Sequence, residues 1–177
     1  MDPSARLKIM SRRVHRFAIA VGAISGGITL LRWFVLTDPN WLPPTIAAYI
    51  RPGMLTPLHR LAGFLIELIP LTAALYNLVV LHRICIGYCR GEFFGPDSGG
   101  NYRKFGTGLL LLGIANGLYT TLTIAVFSLL DTPKRLVLAF GFSTADLYLM
   151  ILGLAVIMLG TVMDEAYRIH EENTQIV

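Results

Sequence analysis

The chain has 177 residues, of which 54 % are apolar and only 15 % charged, against about 45–50 % and about 25 % in an average soluble domain. Mean hydropathy is +0.61, net charge +4 and pI about 9.3. A soluble chain this short has too much surface for its volume to hide so much apolar material, and two cysteines cannot staple a disulfide scaffold. These figures count against an ordinary globular enzyme, a disordered chain and a nucleic-acid domain.

A bilayer core is about 30 Å thick, so a spanning helix needs about 20 mostly apolar residues. Four stretches qualify. Their apolar runs are continuous and do not alternate, which fits helices and not lipid-facing barrel strands. A basic tail, 1–16, leads into the first span, Phe17–Leu36, whose single charge is Arg32. The basic start is compatible with a signal peptide. However, Thr37-Asp38-Pro39-Asn40-Trp41 is no small-residue cleavage site, so the span is expected to be retained. The first connection, Thr37 to Arg60, holds Pro39, Pro43, Pro44, Pro52 and Pro57. Proline removes a backbone donor and fixes φ, so no long helix is expected there. Trp41 and Tyr49 suit a membrane–water interface, and Thr45 to Ile50 has room for one interfacial helical turn.

The second span, Leu61–Leu81, has Glu67 as its only charge, with Pro70 three residues on; the proline is expected to kink the helix near the acid. The second connection, His82 to Lys104, is the most polar internal segment, and its Gly91, Gly95, Pro96, Gly99 and Gly100 predict mobility. Span three, Phe105–Leu130, has no charge. In the third connection, Asp131 to Ser143, the stretch Leu136 to Phe142 is apolar enough to lie in the interface. Span four, Thr144–Met163, opens near Asp146, and the tail 164–177 is expected to continue it as a helix. There is no internal repeat. The expectation is one transmembrane domain, an all-α integral membrane four-helix bundle.

Lysine and arginine near span ends set orientation. The N-terminal tail has Arg6, Lys8, Arg12, Arg13 and Arg16. The second connection has Arg83, Arg90, Arg103 and Lys104, and the C-terminal tail has Arg168, ten in all on one side. The other side has four: Arg51, Arg60, Lys134 and Arg135. Both termini are therefore expected in the cytoplasm. The basic tail serves as an orientation signal, or as an arm for anionic lipid at about 1 kcal/mol per cation.

Three local patterns occur from span two onward: Cys89-Arg90-Gly91-Glu92-Phe93-Phe94; Tyr102-Arg103-Lys104-Phe105-Gly106; and Asp164-Glu165-Ala166-Tyr167-Arg168-Ile169-His170-Glu171-Glu172-Asn173, closing on Gln175-Ile176-Val177. Over about the last half of the chain they resemble an uncharacterised family of small bacterial four-span membrane proteins, a domain of unknown function. Asn173-Thr174-Gln175 departs from the family's leucine-like residue before a threonine. The resemblance implies a bacterial inner (cytoplasmic) membrane. Family members are often encoded beside a small helix-turn-helix regulator, which implies sensing or gene control. It implies no catalytic residue.

A charge at bilayer depth costs about 2.5–3.5 kcal/mol on insertion scales, and such residues usually face the bundle interior and find a partner. Arg32, Glu67 and Asp146 all fall in the outer third of the membrane, where two acids can flank one arginine. They form either an ion, proton or ligand site open to the outside, or a structural ion pair, with Arg32 or Asp146 snorkelling to the interface. Asn77 and Asn116 are polar residues in apolar spans, suited to helix association. Beside Asn116, Tyr119, Thr120, Thr121 and Thr123 leave room for a wet cavity or a partner surface. Gly22 with Gly26 and Gly113 with Gly117 each put two glycines on one helix face, for packing within the monomer or for a homodimer seam.

His15, His82 and His170 map to the cytoplasmic span ends, and Cys85 and Cys89 follow His82 on one stripe. They are weak metal or haem ligands in prospect, because no standard spacing is matched. The cysteines read as reduced thiols. No cofactor is expected. Phosphate-cradling loops, nucleophile elbows and zinc-protease motifs are missing from the sequence. The expected function is a non-enzymatic membrane protein that regulates, senses or scaffolds through its second connection and acidic C-terminal helix, meeting a cytoplasmic or membrane protein partner. The alternative is a small transporter or channel subunit with Glu67 as its coupling site. A haem or metal redox subunit is the third.

Overall fold

The computed structural model describes residues 3–36, 42–49, 55–90, 98–130 and 136–175. Five helices carry the described chain: α1 (Pro3–Phe34), the short α2 (Pro44–Ala47), α3 (Pro57–Arg90), α4 (Ser98–Leu130) and α5 (Thr144–Gln175). Among the described residues there is no strand. The four long helices each contain a segment long and apolar enough to cross a membrane. With 32 to 34 residues each and about 1.5 Å of rise per residue, they exceed the roughly 30 Å such a crossing needs.

The expected spans lie inside longer helices. Backbone hydrogen bonding does not require apolar side chains, so polar flanks continue the helix. Much of the second connection becomes helix: His82–Arg90 ends α3 and Ser98–Lys104 begins α4. Residues 91–97, for which mobility was expected, lie outside the described residues, as do Trp41 and Ile50. At the other end, α1 stops at Phe34, two residues before the expected limit. Arg32 thus sits in its last turn, where a cation complements the negative end of the helix dipole.

Consecutive long helices run antiparallel and pack in chain order, α1 on α3, α3 on α4, and α4 on α5, the last pair the most extensive. One end of the bundle holds the first and third connections. The other holds the start of α1, the end of α3, the start of α4 and the end of α5. Most of each long helix faces outward with large apolar side chains, Met158 at 70 % exposure among them.

The buried core lies at the end with the first connection. Trp33, Leu42, Ile46, Tyr119, Ile124 and Phe127 form one cluster. Trp33 is 0 % exposed and meets Phe127 edge-on at 6.2 Å. Its ring fills the space where a side chain on Gly63 would stand. Pro44 occupies the first turn of α2, where its missing N–H costs nothing. The expected helical turn forms as α2 and turns one side chain inward: Ile46 is fully buried and α2 packs on α4. The stretch 136–142 alternates. Val137 and Ala139 pack on the core, while Leu136, Leu138, Phe140 (85 %) and Phe142 are exposed.

Gly99, Gly106 and Gly113 of α4 repeat every seven residues, as do Gly153 and Gly160 of α5. Seven residues make nearly two turns, so each set lies on one face. A Cβ on Gly106 would stand 2.5 Å from the Gly153 carbonyl oxygen, and one on Gly160 would stand 2.7 Å from that of Gly99. Backbone meets backbone along the whole seam.

Candidate functional site

Arg32, Glu67 and Asp146 fall at the same end of the bundle, but not as one cluster. Arg32 Nη1 lies 3.7 Å from Glu67 Oε1. The Thr29 hydroxyl donates to Glu67 Oε1 at 3.4 Å, and the Trp33 indole N–H donates to Oε2. Thr29 and Trp33 are one turn apart on the face that α1 turns to α3, so the helix repeat delivers both donors to one carboxylate. A half-buried carboxylate needs such partners, since burying a charge without hydrogen bonds is costly.

Asp146 goes elsewhere. Its Oδ2 accepts from the Ser143 N–H (2.8 Å) and hydroxyl (2.7 Å), and the Ser143 oxygen accepts from the Asp146 N–H at 3.2 Å. Ser143-Thr144-Ala145-Asp146 is thereby a reciprocal capping box at the start of α5, a signal legible in the sequence but not drawn from it. Asp146 Oδ1 accepts from Asn116 Nδ2 at 2.9 Å, tying α4 to α5. The expectation that two acids flank Arg32 therefore holds for Glu67 only, because the cap and the amide claim the second carboxylate.

Two cavities join these groups. One, of about 400 Å³, is lined by Arg32, Glu67, Thr29, Pro70, Asn116 and Tyr119 with aliphatic neighbours. The second, of about 270 Å³, lies beneath the connections, between Pro43, Thr45, Phe142, Ser143 and Asp146. Asn116, Tyr119 and the same face of α4 border both. Tyr119 is only 9 % exposed, and its hydroxyl has no hydrogen-bond partner among the described residues. An unmet buried hydroxyl costs about 1–3 kcal/mol, so a molecule in either cavity that bonds it recovers that loss. Pro70 lines the first cavity within α3, which runs through it as one helix. Lacking an N–H, it leaves the Ile66 carbonyl without its helical donor.

Other predicted residues lie apart. Asn77 is buried, but its Nδ2 bonds the Ala73 carbonyl of its own helix at 3.1 Å, and its side chain occupies the space over Gly108. It helps α3 meet α4 by shape and not by a cross-helix hydrogen bond. Of the glycine pairs, Gly22 meets Leu75 and Leu78 of α3, Gly113 meets Met150 and the Asp146 carbonyl of α5, and Gly117 lies under the Phe142 ring. Gly26 has open space, among the described residues, where a Cβ would stand. Thr120 lines the second cavity. Thr121 donates to the Gly117 carbonyl, and Thr123 is fully buried.

The side chains of His15, Cys89 and His170 lie outside the described residues. His82 lines an apolar groove between α1 and α3, and Cys85 is buried. Among the described residues no three His, Cys, Asp or Glu side chains stand close enough to hold a metal ion.

The sequence reading passed over three contributors. Trp33 is the closest donor to Glu67. His59 is 4 % exposed, shares a hydrogen bond with Thr56 at 2.7 Å and stacks edge-on with Phe127 at 5.2 Å. Arg60 reaches the Trp33 carbonyl at 3.4 Å, capping the end of α1. A tryptophan next to the lone arginine of an apolar run was the one available signal. Their convergence depends on the path of the proline-rich connection.

At the opposite end, Arg103 pairs with Asp164 at 2.8 Å, and the Tyr88 and Tyr102 hydroxyls meet. The acidic start of the C-terminal stretch thus touches the basic start of α4. Beyond it, Arg168 pairs along α5 with Glu165 and Glu172. No protein-family description, curated protein or solved structure matches the chain.

Proposed function

We propose that the chain is a non-enzymatic multi-pass protein of a bacterial cytoplasmic membrane, with both termini in the cytoplasm. In this role it senses a small solute in the outer-third cavities and signals it to a protein partner at the cytoplasmic end. One observation carries the reading: α5 is a single helix that begins at the second cavity with Asp146, follows the glycine seam along α4, and continues past Asp164 to Gln175. A rigid helix with a polar site at one end and an exposed charged segment at the other can transmit a displacement between them. The excess of Lys and Arg at the termini end supports the orientation. The resemblance of the last half of the chain to the bacterial four-span family supports sensing, and family membership is part of the proposal.

The test is in-cell photo-crosslinking from the exposed position 166 on α5, which the truncation below retains. A discrete adduct is expected, and it disappears when residues 169–177 are removed, a truncation that leaves Asp164 and its partner Arg103 in place. Capture that is unchanged by the truncation overturns the partner role.

A small transporter or channel subunit with Glu67 as coupling site is the second reading, favoured by the placement of Glu67 on the wall of the larger cavity. Proton-coupled uptake in vesicles that is equal in the parent and Glu67→Gln rejects it.

A further inference from the structure

The cavities between α1, α3, α4 and α5 carry a specific charge pattern. Two carboxylates, Glu67 and Asp146, line them against one guanidinium, Arg32. An ionised carboxylate offers about four acceptor sites. Glu67 receives Thr29, Trp33 and the distant Arg32, and Asp146 receives Asn116 and two bonds from Ser143. Three contacts on each leave one of its roughly four acceptor sites open to a further donor. Tyr119 lines both cavities; it is more than nine-tenths buried, and its hydroxyl has no partner among the described residues. Around these polar groups the lining is aliphatic, with Leu71 and Leu112. An anion would face two carboxylates in a medium of low dielectric, where the repulsion is strong. A neutral alcohol would satisfy Tyr119 but leave the surplus negative charge uncompensated.

We propose that the two cavities form one chamber for a small organic monocation, an alkylammonium. Its N–H donors meet Glu67, Asp146 and the Tyr119 hydroxyl, and its hydrocarbon body rests on Leu71 and Leu112. The inference rests on the cavities being a ligand site and is independent of the cytoplasmic face of α5.

The protein supplies its own reporter. It has two tryptophans, and Trp41→Phe leaves Trp33, the indole bonded to Glu67, as the sole emitter. The full chain in lipid nanodiscs is titrated with cyclohexylammonium, cyclohexanol and cyclohexanecarboxylate. A saturable change in Trp33 emission is expected with the ammonium alone. Tyr119→Phe is expected to weaken it about tenfold, the loss of one hydrogen bond to a charged group, and Glu67→Gln by at least as much. Equal response to the alcohol, tighter binding of the carboxylate, or no saturable response each overturns the proposal.

Since Glu67→Gln also removes a structural partner of α1, a second measurement stands beside it. With both cysteines replaced by alanine, Thr120→Cys is expected to react with a charged, impermeant thiol reagent, and cyclohexylammonium is expected to slow that reaction. Labelling that the ammonium leaves unchanged overturns the shared chamber. Crosslinking from α5 that persists while the chamber binds nothing leaves the partner role standing. Ammonium binding without crosslinking leaves only the chamber.

Discussion

The two outer helices of the row are held by opposite means. Along α4–α5, glycines every seven residues bring the backbones together, so that a Cβ on Gly106, Gly153 or Gly160 would stand under 3.0 Å from a facing carbonyl oxygen. Along α1–α3, a stripe of Ala18, Gly22, Thr29 and Trp33 meets α3 through side chains, and an apolar groove of about 500 Å³ remains between them near His82. Without a hydrophobic force between helices in lipid, close dispersion contact is the main attraction available. The glycine seam therefore fixes α5 against α4 over its whole length. The looser pair concentrates its specificity at one end, where Trp33 and Glu67 lock, and leaves room for cavities. A site that admits a ligand belongs on the second kind of seam.

The largest effect should come from removing the lock. Trp33→Ala empties the most deeply buried aromatic position, takes a donor from Glu67 and uncovers Phe127. A tryptophan truncation of this kind costs about 3–5 kcal/mol. Thermal unfolding in detergent is expected to show that loss, with α1 separating first by cysteine crosslinking between positions 22 and 78. A loss under about 1 kcal/mol would mean that the apolar groove, and not the lock, holds α1.

Next in size is Gly153→Val on the tight seam. Its Cβ would stand 2.7 Å from the Gly106 carbonyl, and backbone cannot rotate away. Overpacking of this kind costs about 1–3 kcal/mol. The valine should also break transmission, with crosslinking from α5 falling while Trp33 emission is unchanged. The matched control is Gly26→Ala, at a position with open space. Alanine there is expected to stabilise α1 by about 0.8–1 kcal/mol, the propensity difference in a helix interior, read as a raised unfolding midpoint. Destabilisation instead would place a contact at Gly26 and sink the contrast between the seams.

The contrast shows what was legible beforehand. The apolar runs predicted four long helices, because length and continuity suffice to recognise a span. The pairing of Arg32 with Glu67 was within reach, since each is the single charge of its apolar run. The i, i+4 glycine motif pointed to Gly22 with Gly26 and to Gly113 with Gly117; of these, Gly113 belongs to the tight seam, whose own spacing is seven. A small residue shows where backbones can approach, not which neighbour will use the opportunity. Asp146 was placed beside Arg32 on depth alone. Its local sequence, Ser143 three residues earlier, has a prior claim, and a reciprocal cap forms without any tertiary contact. The inward fold of α2 and the burial of His59 depend on tertiary packing that a proline-rich segment does not encode locally.

The smallest effect tests whether the base of the tight seam is electrostatic. Arg103 and Asp164 pair at 2.8 Å, but their side chains are 52 % and 33 % exposed. Exposed pairs contribute about 0–1 kcal/mol and are screened by salt. Gly99 and Gly160 lie directly beneath them, and a Cβ on Gly160 would stand 2.8 Å from the Arg103 side chain. The contact is thus held in place by the backbone approach, and the charges come together because the helices already meet. Arg103→Ala is therefore expected to shift the unfolding midpoint little, with a double-mutant coupling to Asp164→Ala below about 1 kcal/mol that fades at high ionic strength. A larger, salt-insensitive coupling would reverse the order of cause, making the ion pair the clamp and the glycines its consequence. The valine at position 153 would then matter less than the charge at 164.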